Sequence, residues 1–138
     1  MLRLWGGEVK PNDVKEIGWY PLTMDSTAAQ DLLLNDYPSR SPAYHFHGDY
    51  IASLPDSIWL AHSDLTACQA FRFGKSVYGF QYHLEVDQPL VEEMCDNNAS
   101  YMRSNGFEPD LVIADSRTHI EEFITDNVRV LSRWVSLL

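Results

Sequence analysis

An imidazole and a carboxylate stand two residues apart at the end of an apolar run, Gly79-Phe80-Gln81-Tyr82-His83-Leu84-Glu85-Val86. In an extended strand residues i and i+2 point to the same face, so His83 and Glu85 are expected side by side, within hydrogen-bonding reach. Such a pair can do acid–base chemistry. The imidazole takes and returns a proton, while the carboxylate accepts from the other ring nitrogen, fixes the tautomer and stabilises the imidazolium. The bland counterpart is a hydrogen-bonded, half-buried histidine at a strand end, because His-x-Glu also arises by chance. A second group is His45-Phe46-His47-Gly48-Asp49. Here Asp49 suits an ammonium group and Gly48 permits close backbone approach, although Gly-Asp is equally ordinary turn chemistry. The alternation of His45 and His47, with His83, raises a metal site; the spacing fixes no third and fourth ligand, so no metal is expected.

These side chains must be positioned by strands. Up to about Val86 the chain reads as short strands over 7–10, 16–22, 43–46, 57–62, 67–73 and 77–82, each rich in aromatic or β-branched residues and bounded by Pro, Gly, Asp or Ser. One helix interrupts them, opening at Ser26 with Asp25 or Ser26 as N-cap and Leu32 to Leu34 as its apolar part. Gly74-Lys75 marks a hairpin, which makes the strands carrying Gln69 and Gln81 antiparallel. From Pro89 the period becomes helical. Leu90, Met94, Asn97 and Tyr101 share a face of a helix ending at Asn105-Gly106, and a helix over 116–134 stripes Ile120, Phe123, Ile124, Val128 and Leu131. Met1 to Leu4 read as the last turn of a helix that begins upstream. The expectation is a single domain over 1–138 of α/β class, a mixed sheet followed by C-terminal helices. Helices are too few to cover both sheet faces, so aromatic strand residues such as Trp19, Tyr20, Phe71, Phe73 and Phe80 are expected to lie uncovered.

Composition excludes several classes. With 138 residues, 45% hydrophobic and 12% aromatic, the chain can build a real core. Twenty acidic against ten basic residues give a net charge of −10, which repels phosphate backbones and anionic membranes; no nucleic acid and no membrane are expected as partners. The N-terminus lacks the succession of a signal peptide, which reads as cytoplasmic. Cys68 and Cys95 lie far apart without metal-like spacing and are expected as reduced thiols.

Five separated segments, LWGGEVKPN, KEIGWYPL, YHFHGDYI, QAFRFG and VYGFQYHLEV, together resemble the C-terminal half of class I glutamine amidotransferases, especially the stand-alone group similar to the amidotransferase domain of GMP synthase. The resemblance implies a partial flavodoxin-like fold with its N-terminal half absent. It implies glutamine as substrate and hydrolysis of the side-chain amide to glutamate and ammonia by a Cys-His-Glu triad, with no cofactor. His83 and Glu85 fall on the closing motif, roughly G-x-Q-F-H-P-E, as the catalytic histidine and carboxylate; Leu84 replaces its Pro and loosens a backbone constraint. His47, Gly48 and Asp49 fall on the H-G-D that holds the α-amino and carboxylate ends of glutamine. The family's nucleophile sits on a G-x-C-x-G elbow that this polypeptide does not contain. Cys68 precedes the QAFRFG strand and Cys95 is expected on the outer wall of a helix, so neither is its replacement. Whether the chain is an enzyme therefore stays open between two readings. In one, a separate N-terminal half supplies the cysteine and a synthase partner receives the ammonia; in the other, the chain is a non-catalytic remnant or binding module that associates with another chain or with itself.

Overall fold

The computed structural model describes residues 5–137; the expected helical turn over 1–4 lies outside them. Strand β1 runs Glu8–Met24, β2 Arg40–Ser53, β3 Ser57–His62, β4 Ala70–Phe73 and β5 Val77–Phe80. Helices α1 (Gln88–Asn97), α2 (Ala99–Ser104) and α3 (Pro109–Ser136) follow. Strands come first and helices last, as the change of period predicts. Among the described residues the strands form one five-stranded sheet in the order β2-β1-β3-β4-β5. All four of its ladders are antiparallel. A backbone bond outside the ladders, His83 N–H to the Tyr44 carbonyl at 2.9 Å, ties the segment after β5 back to β2.

The expected strands over 7–10 and 16–22 are one long strand with an irregularity. Pro11 pairs with Asp49 and Glu16 with His47, so the four residues Asn12 to Lys15 stand opposite Gly48 alone, three more than a regular ladder takes. At Gly18 the backbone takes φ +111°, a region costly for any side chain, and a Cβ there would also meet Val112 of α3 at 3.4 Å. That close approach seats α3 on the sheet. Trp19 then donates from Nε1 to Ser116 Oγ at 2.7 Å and packs edge-on against Phe123. The Gly74 hairpin between β4 and β5 is present, with Gly74 at φ +63°.

Three expectations about helices are corrected. The segment after Asp25 is a short 3-10 turn over Ser26–Gln30; Asp25 makes no capping bond and is engaged instead with His62 at 2.7 Å. The helix after Pro89 is broken at Asn98, and its buried face is Val91, Cys95 and Met102, while Tyr101 is exposed. On α3 the buried stripe is Ile120, Phe123, Asn127 and Val130, whereas Val128 and Leu131 are exposed. Asp87 does cap α1, accepting from the Leu90 N–H at 2.9 Å, with Pro89 in its first turn.

The main core joins Ile17, Tyr44, Leu60, Val91, Cys95, Met102, Ile120 and Phe123 between sheet and helices. A smaller cluster of Ile51, Leu54, Cys68 and Phe71 takes in Trp5, Trp59 and Phe73. The aromatic strand residues are better covered than expected. Phe71 is buried, and Trp19, Phe73 and Phe80 are half-buried, because the main core and the second cluster reach them; Tyr20, also half-buried, packs edge-on against His45. Beside that second cluster a groove of about 290 Å³ is lined by Trp5, Val9, Ile51, Phe71, Val77 and Phe80, among others. No helix among the described residues is long and apolar enough to cross a membrane.

Gly79 stands directly across the ladder from Phe71. A Cβ at this position would fall 2.3 Å from two carbons of the Phe71 ring. Gly79→Ala is accordingly expected to cost about 1–3 kcal/mol through overpacking. Chemical denaturation checks this, and adding Phe71→Leu should recover part of the loss; additive destabilisation would refute the contact as its cause.

Candidate active site

After Phe80 the chain leaves the sheet but stays stitched to it. Gln81 donates its N–H to the Gln69 carbonyl at 2.8 Å and its Nε2 to the Asp49 carbonyl at 3.0 Å. Tyr82 turns inward and is buried against Phe80, Phe123 and His45. Leu84 packs against the core as well. The residues between and beyond them, His83 and Glu85, are thereby turned outward together.

His83 Nδ1 and Glu85 Oε1 are 2.8 Å apart. The segment is not a regular strand, contrary to the sequence reading, yet the pair meets, because Tyr82 and Leu84 are both held by the core. With Nδ1–H donated to the carboxylate, Nε2 carries the lone pair. The His83 side chain retains 30% exposure and that of Glu85 57%, so the imidazole is reachable and its carboxylate is wet.

The His47-Gly48-Asp49 segment lies within β2 rather than in a strand-ending turn. It is joined to the His83 segment through the Gln81 amide on the Asp49 carbonyl and through the His83 N–H on Tyr44. His47 Nδ1–H also donates to the Asp49 carbonyl, at 3.0 Å. With its carbonyl engaged twice, Asp49 is exposed. At Gly48 a Cβ would come within 3.2 Å of Lys15 Nζ and 3.3 Å of its Cγ, from the irregular part of β1 opposite, so that flexible side chain would have to shift.

Beneath the sequence motifs lies a polar cluster that sequence reasoning missed. Glu16, fully buried, accepts from Thr66 Oγ1 at 2.6 Å and Gln69 Nε2 at 2.8 Å. Its Oε2 is 3.4 Å from His47 Nε2, which is itself 3.4 Å from His45 Nδ1. Burial pushes the His45 imidazole down to about 3 and lowers His47 too, against the opposing pull of Glu16, so both rings favour the neutral form. Two signals were available: the alternation of His45 and His47, and a carboxylate inside the otherwise apolar strand Glu16-Ile17-Gly18-Trp19.

Neither thiol is built for attack. Burial pushes Cys68 up to about 12, and Cys95 is raised also, chiefly by burial. Cys95 is fully buried in the main core with its sulfur 3.8 Å from Tyr44 Oη, not on an outer wall. Both should resist a water-soluble thiol reagent near neutral pH in the native state and react on unfolding. Rapid native labelling of Cys95 would contradict this packing.

No protein-family model matches the chain. It is 30% identical over 93 residues to the glutamine amidotransferase-like protein YfeJ of Salmonella typhimurium, covering 67% of this chain and 39% of that protein. It is likewise 30% identical over 108 residues to the glutamine-hydrolysing GMP synthase subunit of Methanococcus maripaludis, covering 77% of this chain and 54% of the relative. Among solved structures, a glutamine amidotransferase of Thermotoga maritima superposes with a TM-score of 0.86 at 21% identity, over 97% of this chain and 57% of that one. One from Methylobacillus flagellatus gives 0.86 at 20% identity, over 98% and 57%. The chain thus spans less than two thirds of each of these proteins. The sequence likeness groups the chain with glutamine amidotransferase-like proteins and GMP synthases, and the superpositions give it the glutamine amidotransferase fold.

Proposed function

We propose that this chain supplies the histidine–carboxylate part of a glutamine-hydrolysing site. The observation that carries the reading is the 2.8 Å contact of His83 Nδ1 with Glu85, which leaves a reachable Nε2. His83 Nε2 takes the proton of a cysteine thiol, and the thiolate attacks the side-chain carboxamide carbon of glutamine. Collapse of the tetrahedral intermediate returns that proton to the leaving nitrogen, and ammonia departs. Water, deprotonated by His83, then cleaves the thioester to glutamate and free thiol. Glu85 keeps the ring in one tautomer and stabilises the imidazolium. Asp49, with Gly48 and His47 setting its backbone, binds the α-ammonium end of glutamine.

The attacking thiol comes from outside this chain, since Cys68 and Cys95 are buried with raised pKa. Its source is an amidotransferase segment bearing the Gly-x-Cys-x-Gly elbow, and the ammonia passes to a synthase partner, in keeping with the relative named as one subunit of a GMP synthase. The same burial of both thiols favours a second reading, a non-catalytic module that binds such a partner or itself. Ammonia release from glutamine discriminates them. The chain alone should be inactive, and adding an elbow-bearing segment should produce ammonia; binding of that segment without turnover would leave the module reading, and turnover by the chain alone would overturn both.

A further inference from the structure

We propose that Glu16, His45 and His47 form a binding site for a divalent transition-metal ion such as zinc, on the β1–β2 ladder. Each residue offers one ligand atom, and the three lie within 4.8 Å of one another. Glu16 is paired with His47 across the ladder, and His45 is two residues along β2 on the same face. His47 Nε2 stands 3.4 Å from both Glu16 Oε2 and His45 Nδ1. A tetrahedral ion with bonds of about 2.0–2.1 Å holds neighbouring ligands about 3.3–3.4 Å apart, which these two separations already match; Glu16 and His45, within 4.8 Å of each other, close onto the ion.

The surroundings are those of an oriented ligand set. A metal-ligating histidine commonly donates its other N–H to a backbone carbonyl or carboxylate, and His47 Nδ1–H is held by the Asp49 carbonyl at 3.0 Å; this leaves the lone pair on Nε2, which faces Gln69 Nε2 at 3.3 Å and which an ion would take over. The Glu16 carboxylate is likewise fixed by Thr66 and Gln69. The second Glu16 oxygen is buried with no partner within the protein, acceptor capacity that a dication would take up. Two imidazoles and one carboxylate select a borderline ion of the zinc, cobalt or nickel kind, whereas calcium and magnesium require oxygen donors. Three protein ligands leave a tetrahedral ion one position for water or an external ligand. The site shares His47 with the proposed glutamine site but does not rest on that reading.

The test needs no turnover. The full chain, stripped with a chelator, is titrated with Zn²⁺ by equilibrium dialysis and with Co²⁺ by visible absorption. One ion per chain is expected, with micromolar or tighter affinity, the intense d–d bands of tetrahedral Co²⁺, and a Zn²⁺-dependent rise in melting temperature. Glu16→Gln and His47→Gln should each weaken Zn²⁺ at least about tenfold, while His62→Ala, at the separate Asp25 contact, should not. Should the buried variants misfold by circular dichroism, the wild-type Co²⁺ spectrum decides. Substoichiometric binding, an octahedral spectrum, undiminished affinity in folded Glu16→Gln, or loss of binding in His62→Ala would each overturn the site.

Discussion

His83→Ala is expected to lower ammonia release from glutamine by about a thousandfold or more once the chain is joined by a cysteine-bearing segment, because the thiol then has no base and the leaving nitrogen no acid. The fall should appear in kcat rather than in KM, since His83 acts on the reacting atoms. Glu85→Gln is expected to cost less, about ten- to a hundredfold. Its side chain is 57% exposed, so water stabilises part of the imidazolium charge that a buried carboxylate would carry alone. Steady-state ammonia release on the reconstituted protein measures both. Activity within tenfold of wild type in His83→Ala would remove the triad assignment. Asp49→Ala should instead raise KM, because its proposed contact is to a part of the substrate that does not change during the reaction.

The second large effect is on stability and lies away from the site. Asp31 Oδ2 accepts from Arg72 Nε at 2.9 Å and from Tyr78 Oη at 3.3 Å, and its Oδ1 accepts from the Leu33 N–H at 2.9 Å. Its side chain is fully buried, while that of Arg72 keeps 24% exposure. This one carboxylate therefore ties the segment after β1 to β4 and β5. Asp31→Ala leaves three donors without an acceptor, one of them charged, and is expected to cost about 2–4 kcal/mol, reduced from a fully buried pair by the partial exposure of Arg72. Urea unfolding should report this loss, with a melting temperature lower by roughly 3–5 °C per kcal/mol. Asp31→Ala with Arg72→Leu should be less unstable than the sum of the two, since the orphaned guanidinium is gone. Strict additivity would show that the pair is not coupled.

Local relations were legible before the structure. His83 and Glu85 are two residues apart, and their meeting requires only that Tyr82 and Leu84 point inward, which their apolar character dictates even where the regular strand has ended. The Gly74 turn, β3 over Ser57–His62 and the succession of strands then helices likewise depend on short-range chemistry. The family could be read from segments whose order survives at about 30% identity.

Helix faces were a different matter. Leu90, Met94 and Tyr101 repeat with the same spacing as Val91, Cys95 and Met102, one residue on, and both sets are largely apolar. Periodicity gives a helix but not its rotation, so only packing against Tyr44 and α3 decided that Cys95 is core and Tyr101 surface. The polar cluster was hidden for a related reason. Glu16 meets His47 only because four residues, Asn12 to Lys15, are accommodated opposite Gly48, and such an insertion resets the alternation on one strand without trace in its neighbour's sequence. By itself the sequence determined the succession of strands then helices, the family and the His83–Glu85 pair, all products of neighbours along the chain. The tertiary structure alone decided strand register, helix rotation and the gathering of Glu16, His45, Thr66 and Gln69, because these follow from which distant surfaces can be buried together.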